Sequence, residues 1–280
     1  MAAPRLFGTV NITEDSFSDG GRFLAPEAAI AQARLVAANG ADVIDLGAAA
    51  SNIDAAPVTP AEEIRRLEPV IDALQADGTS VSIDSFQSAT QRFALCRGVA
   101  FLNDIQGFPD PELYPDLAAA TCRLVVMHSV QRRGRARQVA IGADEAWRRV
   151  LGFFGERVPR LERAGIARER LILDPGMGFF LSSRPEASVR ALAGIGELKR
   201  EMGLPVLISV SRKSFLGAVT GRVGPAERGP ASLAAELYAA AQGADFIRTH
   251  DPAALRDALR LTAALTDEAK RRTAAQSEPP

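Results

Sequence analysis

The chain has 280 residues, 47% of them hydrophobic, and a formal net charge of -1. This is enough apolar material for a large core, the length suits one α/β barrel, and the near-zero charge removes any global electrostatic case for nucleic acid or a membrane surface as partner. Two cysteines, Cys96 and Cys122, with no secretory pattern in Met1 to Val10 and no apolar run of spanning length, read as reduced, buried thiols of a cytoplasmic protein.

Short apolar runs alternate with long amphipathic segments from end to end. Leu6 to Val10 comes first, then a helix over Pro26 to Asn39 that stops at Gly40. Val43 to Leu46 follows, and Thr59-Pro60-Ala61-Glu62 opens the next helix as a capping box with proline at its first position. Val81 to Ile83 leads to a helix over Gln87 to Arg97 stopped by Gly98, and Val99 to Leu102 and Leu124 to Met127 come next. Arg132 to Arg137 is a basic run with no aromatic residue to stack on a base, so it reads as a solvated loop. A helix over Ala143 to Ala164 stops at Gly165, before Leu171 to Leu173 and Val206 to Val210. A last unit pairs Ser232 to Gln242, stopped by Gly243, with Phe246 to Ile247. Brevity and β-branched content suit strands buried on both faces of a parallel sheet. Eight such units without a break in composition predict a single (β/α)8 TIM barrel over residues 1–268, with a polar tail at 269–280 that frays. An open doubly wound sheet is the alternative, and it matches eight complete units less well.

In this fold the chemistry sits where strands end. The residues there are Asn11, Asp45, Asp84, Asn103-Asp104, His128, Asp174, Ser209 to Lys213, and Arg248-Thr249-His250. Any one could be a satisfied core polar group, but so many on one rim are difficult to explain as packing, since each would need a buried partner. Lys213, Arg248 and His250 follow strands seven and eight, where barrels commonly hold phosphate. Asp45, Asp84, Asn103 and Asp174 accept N–H bonds, which suits a flat nitrogen heterocycle. With two histidines, His128 and His250, and no cysteine pair at zinc spacing, a metal would be a hard ion held by oxygens and by ligand phosphates, hence Mg2+. Dinucleotide and Walker fingerprints are absent.

Four ordered segments carry a resemblance. Asn11 to Gly21, Leu173-Asp174-Pro175-Gly176-Met177-Gly178-Phe179, Ser211-Arg212-Lys213-Ser214 and Arg248-Thr249-His250 resemble the motifs of dihydropteroate synthases, over about Phe7 to Leu265. Asp84-Ser85-Phe86 and Asn103 to Asp110 are most similar to the sulfonamide-insensitive, Sul-type branch. The resemblance implies a transferase of folate biosynthesis that joins a pterin pyrophosphate to p-aminobenzoate. It implies pterin binding by Asp84, Asn103, Asp174, Lys213 and Met127, and pyrophosphate binding by Asn11, Arg248 and His250, with Mg2+ on Asn11. It places p-aminobenzoate beside Ser51, Phe179 and Ser214, and gives catalytic weight to Asp19, Lys213, Arg248 and His250. A homodimer through the last helices is implied as well, and Pro252 to Ala264 carries a stripe of alanine and leucine wider than one core face requires.

Two departures from the family pattern stand out: Glu14 replaces a proline, and Ser51-Asn52-Ile53 replaces a segment that usually carries Arg-Pro. The role of that arginine is not transferable to Asn52. Phe180 and Leu181 are expected to narrow the outer wall of the aniline pocket against sulfonamides. Two other functions share parts of this pattern, a methyltetrahydrofolate-dependent corrinoid methyltransferase and a non-catalytic pterin-binding protein. The Arg248 to His250 cluster and the Asp15 to Gly21 loop favour the synthase over the methyltransferase, which needs no diphosphate grip, while a binding protein predicts pterin binding without turnover.

Overall fold

The structure, a computed structural model, describes residues 3–13, 25–49, 57–131 and 139–277. The expectations placed on Glu14, Asp19, Ser51, Asn52, Ile53 and the Arg132 to Arg137 run fall outside these residues. Eight strands alternate with helices: β1 Arg5–Asn11, α1 Pro26–Ala38, β2 Val43–Gly47, α2 Pro60–Ala76, β3 Val81–Asp84, α3 Ser88–Cys96, β4 Phe101–Asp104, α4 Tyr114–Ala119, β5 Arg123–Met127, α5 Ala143–Arg163 and β6 Leu171–Asp174. Two helices, α6 Pro185–Ala193 and α7 Ile195–Met202, precede β7 Leu207–Ile208; α8 Ser214–Thr220 and α9 Gly229–Ala241 precede β8 Phe246–Thr249, and α10 spans Pro252–Ser277. The strands are parallel and ordered β6-β5-β4-β3-β2-β1-β8-β7. A parallel bridge between Leu173 and Val206 joins the two ends, so the sheet closes into a barrel.

The helix stops read from sequence are real: Gly40, Gly98, Gly165 and Gly243 all have positive φ. Thr59 caps α2 by accepting from the Glu62 N–H at 3.2 Å, while the Glu62 carboxylate is taken up by Arg65 and Arg66. The segment from residue 269 to Ser277, expected to fray, continues α10 as helix. Cys122 is buried as expected, but Cys96 is exposed. Cys96 lies two residues past Ala94, the last buried position of α3, and so faces away from the barrel.

The barrel floor is a plug of inward side chains: Phe7, Val43, Phe101, Val125, Ile172, Leu207 and Phe246. Phe7 meets Phe101 edge-on at 4.9 Å and Phe246 at 5.6 Å, and Arg123 lies 4.9 Å over the Phe246 ring. Strand side chains alternate, so counting two residues up from each plug position gives the next inward layer. That layer is Thr9, Asp45, Asn103, Met127, Asp174, Ser209 and Arg248. The plug thus sets which of the polar residues near each strand end face the barrel axis.

Candidate active site

Above the plug lies an open pocket lined by Asp84, Asn103, Ile105, Met127, Asp174, Met177, Phe180, Ser209, Lys213 and Arg248. Five residues expected to bind pterin, on β3, β4, β5, β6 and the segment after β7, are therefore brought together. Alternation corrects the reading at β5. Met127 faces the pocket, whereas His128 is turned behind it, buried, with its ring Nδ1 3.2 Å from the Pro175 carbonyl and its edge against Phe153. Asp104 and Thr249 point away from the pocket for the same reason, beside Asn103 and Arg248. Ile105, two residues past Asn103, is a pocket residue that a search for polar groups passes over.

Asp174 ends β6, and its Oδ1 accepts the Gly176 N–H at 2.8 Å. It therefore caps the turn and lines the pocket at once. Burial raises its carboxyl to about 6. Lys213 reaches in from the other side, with Nζ 5.1 Å from the Phe180 ring centroid, and burial lowers its ammonium to about 8. The backbone that delivers Lys213 is held in an unusual state: Arg212 has φ +59°, its N–H donates to Ser232 Oγ at 2.9 Å, and its carbonyl accepts from Arg228 at 3.0 Å.

Arg248 lies across the pocket floor. It donates through Nε to Asp45 and through Nη2 to Asp84 Oδ2 at 2.8 Å. Burial works against its charge, but Asp45 and Asp84 outweigh this and raise its pKa. Burial also pushes the Asp84 carboxyl upward, against the pull of Arg248. Asp45 Oδ1, Ser82 Oγ and Asn103 Oδ1 are buried without a hydrogen-bond partner among the described residues. Of these three only Asn103 lines the pocket, where it joins the carboxylates of Asp84 and Asp174 in a set of acceptors that suits a ligand rich in N–H groups.

His250 follows Arg248, its backbone N–H on Ser211 Oγ at 3.3 Å and its Nδ1 buried without a partner among the described residues. Burial, and then the nearby charges of Arg212, Arg248 and Lys213, hold its imidazole down to about 3. The ring is neutral and faces a cationic corner, which suits an anion. Asn11 ends β1, half-buried, close to Gly47 on β2. Ser214 opens α8, which touches the turn at residues 178–180. Phe179 in that turn is half-buried, and its carbonyl accepts from Gln131 at 3.1 Å. Phe180 lines the pocket, packed with Ile105 and Met127, rather than forming its outer wall, and Leu181 is turned into the main core. The 3-10 geometry of Gly178–Phe180 sends consecutive side chains in different directions.

A barrel whose strand ends gather acceptors for a nitrogen heterocycle beside a cationic corner is matched by the comparisons. The pterin binding enzyme family matches residues 7–250, and the chain belongs to that family. The type-2 dihydropteroate synthase of Escherichia coli is 60% identical over 95% of this chain and 97% of its own length. The dihydropteroate synthase of Xanthomonas albilineans, solved with 4-aminobenzoic acid, superposes with a TM-score of 0.81 at 36% identity, covering 94% of this chain and 93% of that one. Solved with 7,8-dihydropteroate, it superposes with a TM-score of 0.78 at 33% identity, covering 99% and 94%. Within the family the chain falls among the dihydropteroate synthases, transferases of folate biosynthesis.

Proposed function

We propose that the pocket holds the pterin ring of 6-hydroxymethyl-7,8-dihydropterin pyrophosphate on Asp84, Asn103, Asp174 and Lys213. Its diphosphate points toward Asn11, Arg248 and His250. The observation that carries this reading is the convergence of Asp84, Asn103, Asp174, Lys213 and Arg248, from five different strand ends, on one pocket above the plug. The Xanthomonas structures with 4-aminobenzoic acid and with dihydropteroate support the assignment of both substrates. Phe179 and Ser214, at the mouth, would flank the aniline.

The chemistry asks little of a base. The aniline nitrogen attacks the pterin methylene, the carbon–oxygen bond to diphosphate breaks with its electrons leaving on oxygen, and the amine proton departs to water. The residues must therefore stabilise the leaving diphosphate and the developing positive charge on the methylene. Arg248 and an N–H of neutral His250 serve the first need. The carboxylates of Asp84 and Asp174 serve the second.

Among the described residues no group of three histidine, cysteine, aspartate or glutamate side chains could hold a metal. Asn11 at the end of β1, whose amide oxygen lies beside Gly47, would fit an ion that keeps several waters and takes its other ligands from substrate phosphate, as Mg2+ does. When bound, such an ion neutralises charge on the diphosphate.

Insensitivity to sulfonamides is the finer part of the proposal. A sulfonamide carries bulk beyond the carboxylate position of p-aminobenzoate, so a tighter aniline site rejects it at little cost to the substrate. Phe180, packed with Ile105 and Met127 under the Lys213 ammonium, and Phe179 beside that cluster are the bulky residues that would tighten the site. The test is dihydropteroate formation from the two substrates, with and without sulfamethoxazole at a concentration that stops a sensitive synthase. Product in both arms is expected. Product only without drug removes the insensitivity, and no product in either arm removes the substrate assignment. No helix among the described residues is long and apolar enough to cross a membrane.

A further inference from the structure

Behind the strand ends that carry Asp84 and Asn103 lies a buried polar network with no part in the chemistry described above. Glu63, in the first turn of α2, is fully buried. Its Oε2 accepts from Ser85 Oγ at 3.0 Å, Gln87 Nε2 at 2.8 Å and Thr90 Oγ1 at 2.6 Å. On the other side of Ser85, Gln91 Nε2 donates to the Ser85 carbonyl at 2.7 Å and to Asp104 Oδ2 at 3.1 Å. The Ser85 N–H donates to the Asn103 carbonyl at 3.0 Å. Asp104 is fixed in turn by the N–H groups of Gln106 at 2.8 Å and Phe108 at 2.9 Å.

Two buried carboxylates, one on a helix and one at a strand end, thus hold Ser85 from both sides. Ser85 is the chain neighbour of Asp84 and is bonded across the sheet to Asn103. Burial raises the carboxyls of both Glu63 and Asp104, so the arrangement is expensive to keep. A junction that only had to pack α2 and α3 against the barrel could be closed more cheaply by apolar side chains. What the network adds is direction: its bonds to Ser85 and to Asp104 reach the chain neighbours of Asp84 and Asn103, while Gln87 and Thr90 anchor Glu63.

We propose that Glu63 and Gln91 are positioning residues for the pterin, which lock the Asp84–Ser85 and Asn103–Asp104 backbone so that both ligand side chains meet the heterocycle in one orientation. The proposal rests on the reading of Asp84 and Asn103 as pterin ligands.

The test is steady-state kinetics on the full chain, with the KM of each substrate, kcat and the thermal midpoint measured together. Gln91→Met keeps the side chain's length and removes both donated bonds; Glu63→Met removes the acceptor shared by three donors. Glu63→Gln keeps an acceptor oxygen in the same place. Gln91→Met and Glu63→Met are expected to raise the KM for the pterin pyrophosphate about tenfold, the scale on which outer ligand partners act, with kcat and the KM for p-aminobenzoate within about twofold. Glu63→Gln is expected to restore near-normal pterin KM. If the thermal midpoint falls while the pterin KM of both methionine variants stays within about twofold, the network only stabilises the fold and the proposal is overturned. Should either variant fail to fold, Ser85→Ala, which deletes one hydroxyl bond to Glu63, decides on the same criterion. Asp84→Asn is run in parallel; an unchanged pterin KM there would instead remove the ligand assignment beneath the proposal.

Discussion

Asp174 both caps a turn and lines the pocket, so in the proposed function one carboxylate would serve fold and ligand together. Its Oδ1 is committed to the Gly176 N–H, and an asparagine can keep that bond with its amide oxygen. The amide nitrogen would then replace the remaining acceptor and face the pterin N–H donors. Asp174→Asn is therefore expected to fold and to lose about 2–5 kcal/mol of pterin affinity, the cost of breaking a buried charge-assisted contact. Calorimetry reads it, and an affinity unchanged within about twofold would refute the assignment. The sign of the stability effect is opposite. A carboxyl raised to about 6 in the folded chain contributes stability below its ordinary pKa and loses it as pH rises through 6. The variant should thus melt higher than the parent at neutral pH. The same shifts set the pH profile. Asp174 must be ionised to accept, so kcat/KM for the pterin substrate falls as pH drops through about 6. Lys213 must be protonated to donate, so it falls again as pH rises through about 8. Lys213→Arg should flatten the alkaline limb, because a guanidinium stays charged. An alkaline limb that persists in that variant belongs to another group.

At the level of elements, the turn after β6 decides how well Asp174 is held. Gly176 has φ +73°, and a Cβ there would come within 2.5 Å of the His128 carbonyl oxygen at the end of β5. Gly176→Ala is expected to cost at least the ~1–2 kcal/mol of a left-handed non-glycine residue, and more for the displaced turn. It should lower the thermal midpoint and kcat/KM together. A variant as stable and active as the parent would show that the turn can shift without loss. The Asp-Pro-Gly pattern made this turn legible in the sequence, since the residue types state their own backbone needs. The neighbouring Phe180 and Leu181 were not legible in the same way. Two adjacent apolar residues can both be wall, but the short 3-10 turn sends Phe180 into the pocket and Leu181 into the core. His128 failed for a related reason. At a strand end only alternate residues face inward, and the phase is set by the floor plug, which is visible only once Val125 is known to point at the axis.

For the whole molecule, eight strand–helix units, four of them closed by a glycine stop, were enough to reach a closed barrel, because the units repeat the same local chemistry. What the repeat did not reveal is where the regular pattern is exceeded: two helices between β6 and β7, and α8 inserted before α9. The same holds for α10. Leu255 anchors its first turns, but residues 260–273 are exposed throughout, with Leu261 at 62% and Leu265 at 63% exposure. An extension of that length without tertiary cover is marginal on its own in water, and its ion pairs around Glu268 are solvent-exposed. Tyr238, also exposed, lies on α9, the helix that packs beside α10. An apolar stripe on two adjoining helices, presented by a chain whose barrel is already complete, fits a self-complementary surface of the kind that builds a two-fold dimer. Light scattering at micromolar concentration is expected to give twice the mass of one chain. Leu261→Lys combined with Leu265→Lys should shift the mass toward one chain while leaving the circular dichroism of the barrel in place. A parent chain that scatters as a monomer would refute the dimer, and the exposed half of α10 would then have to be helical without cover.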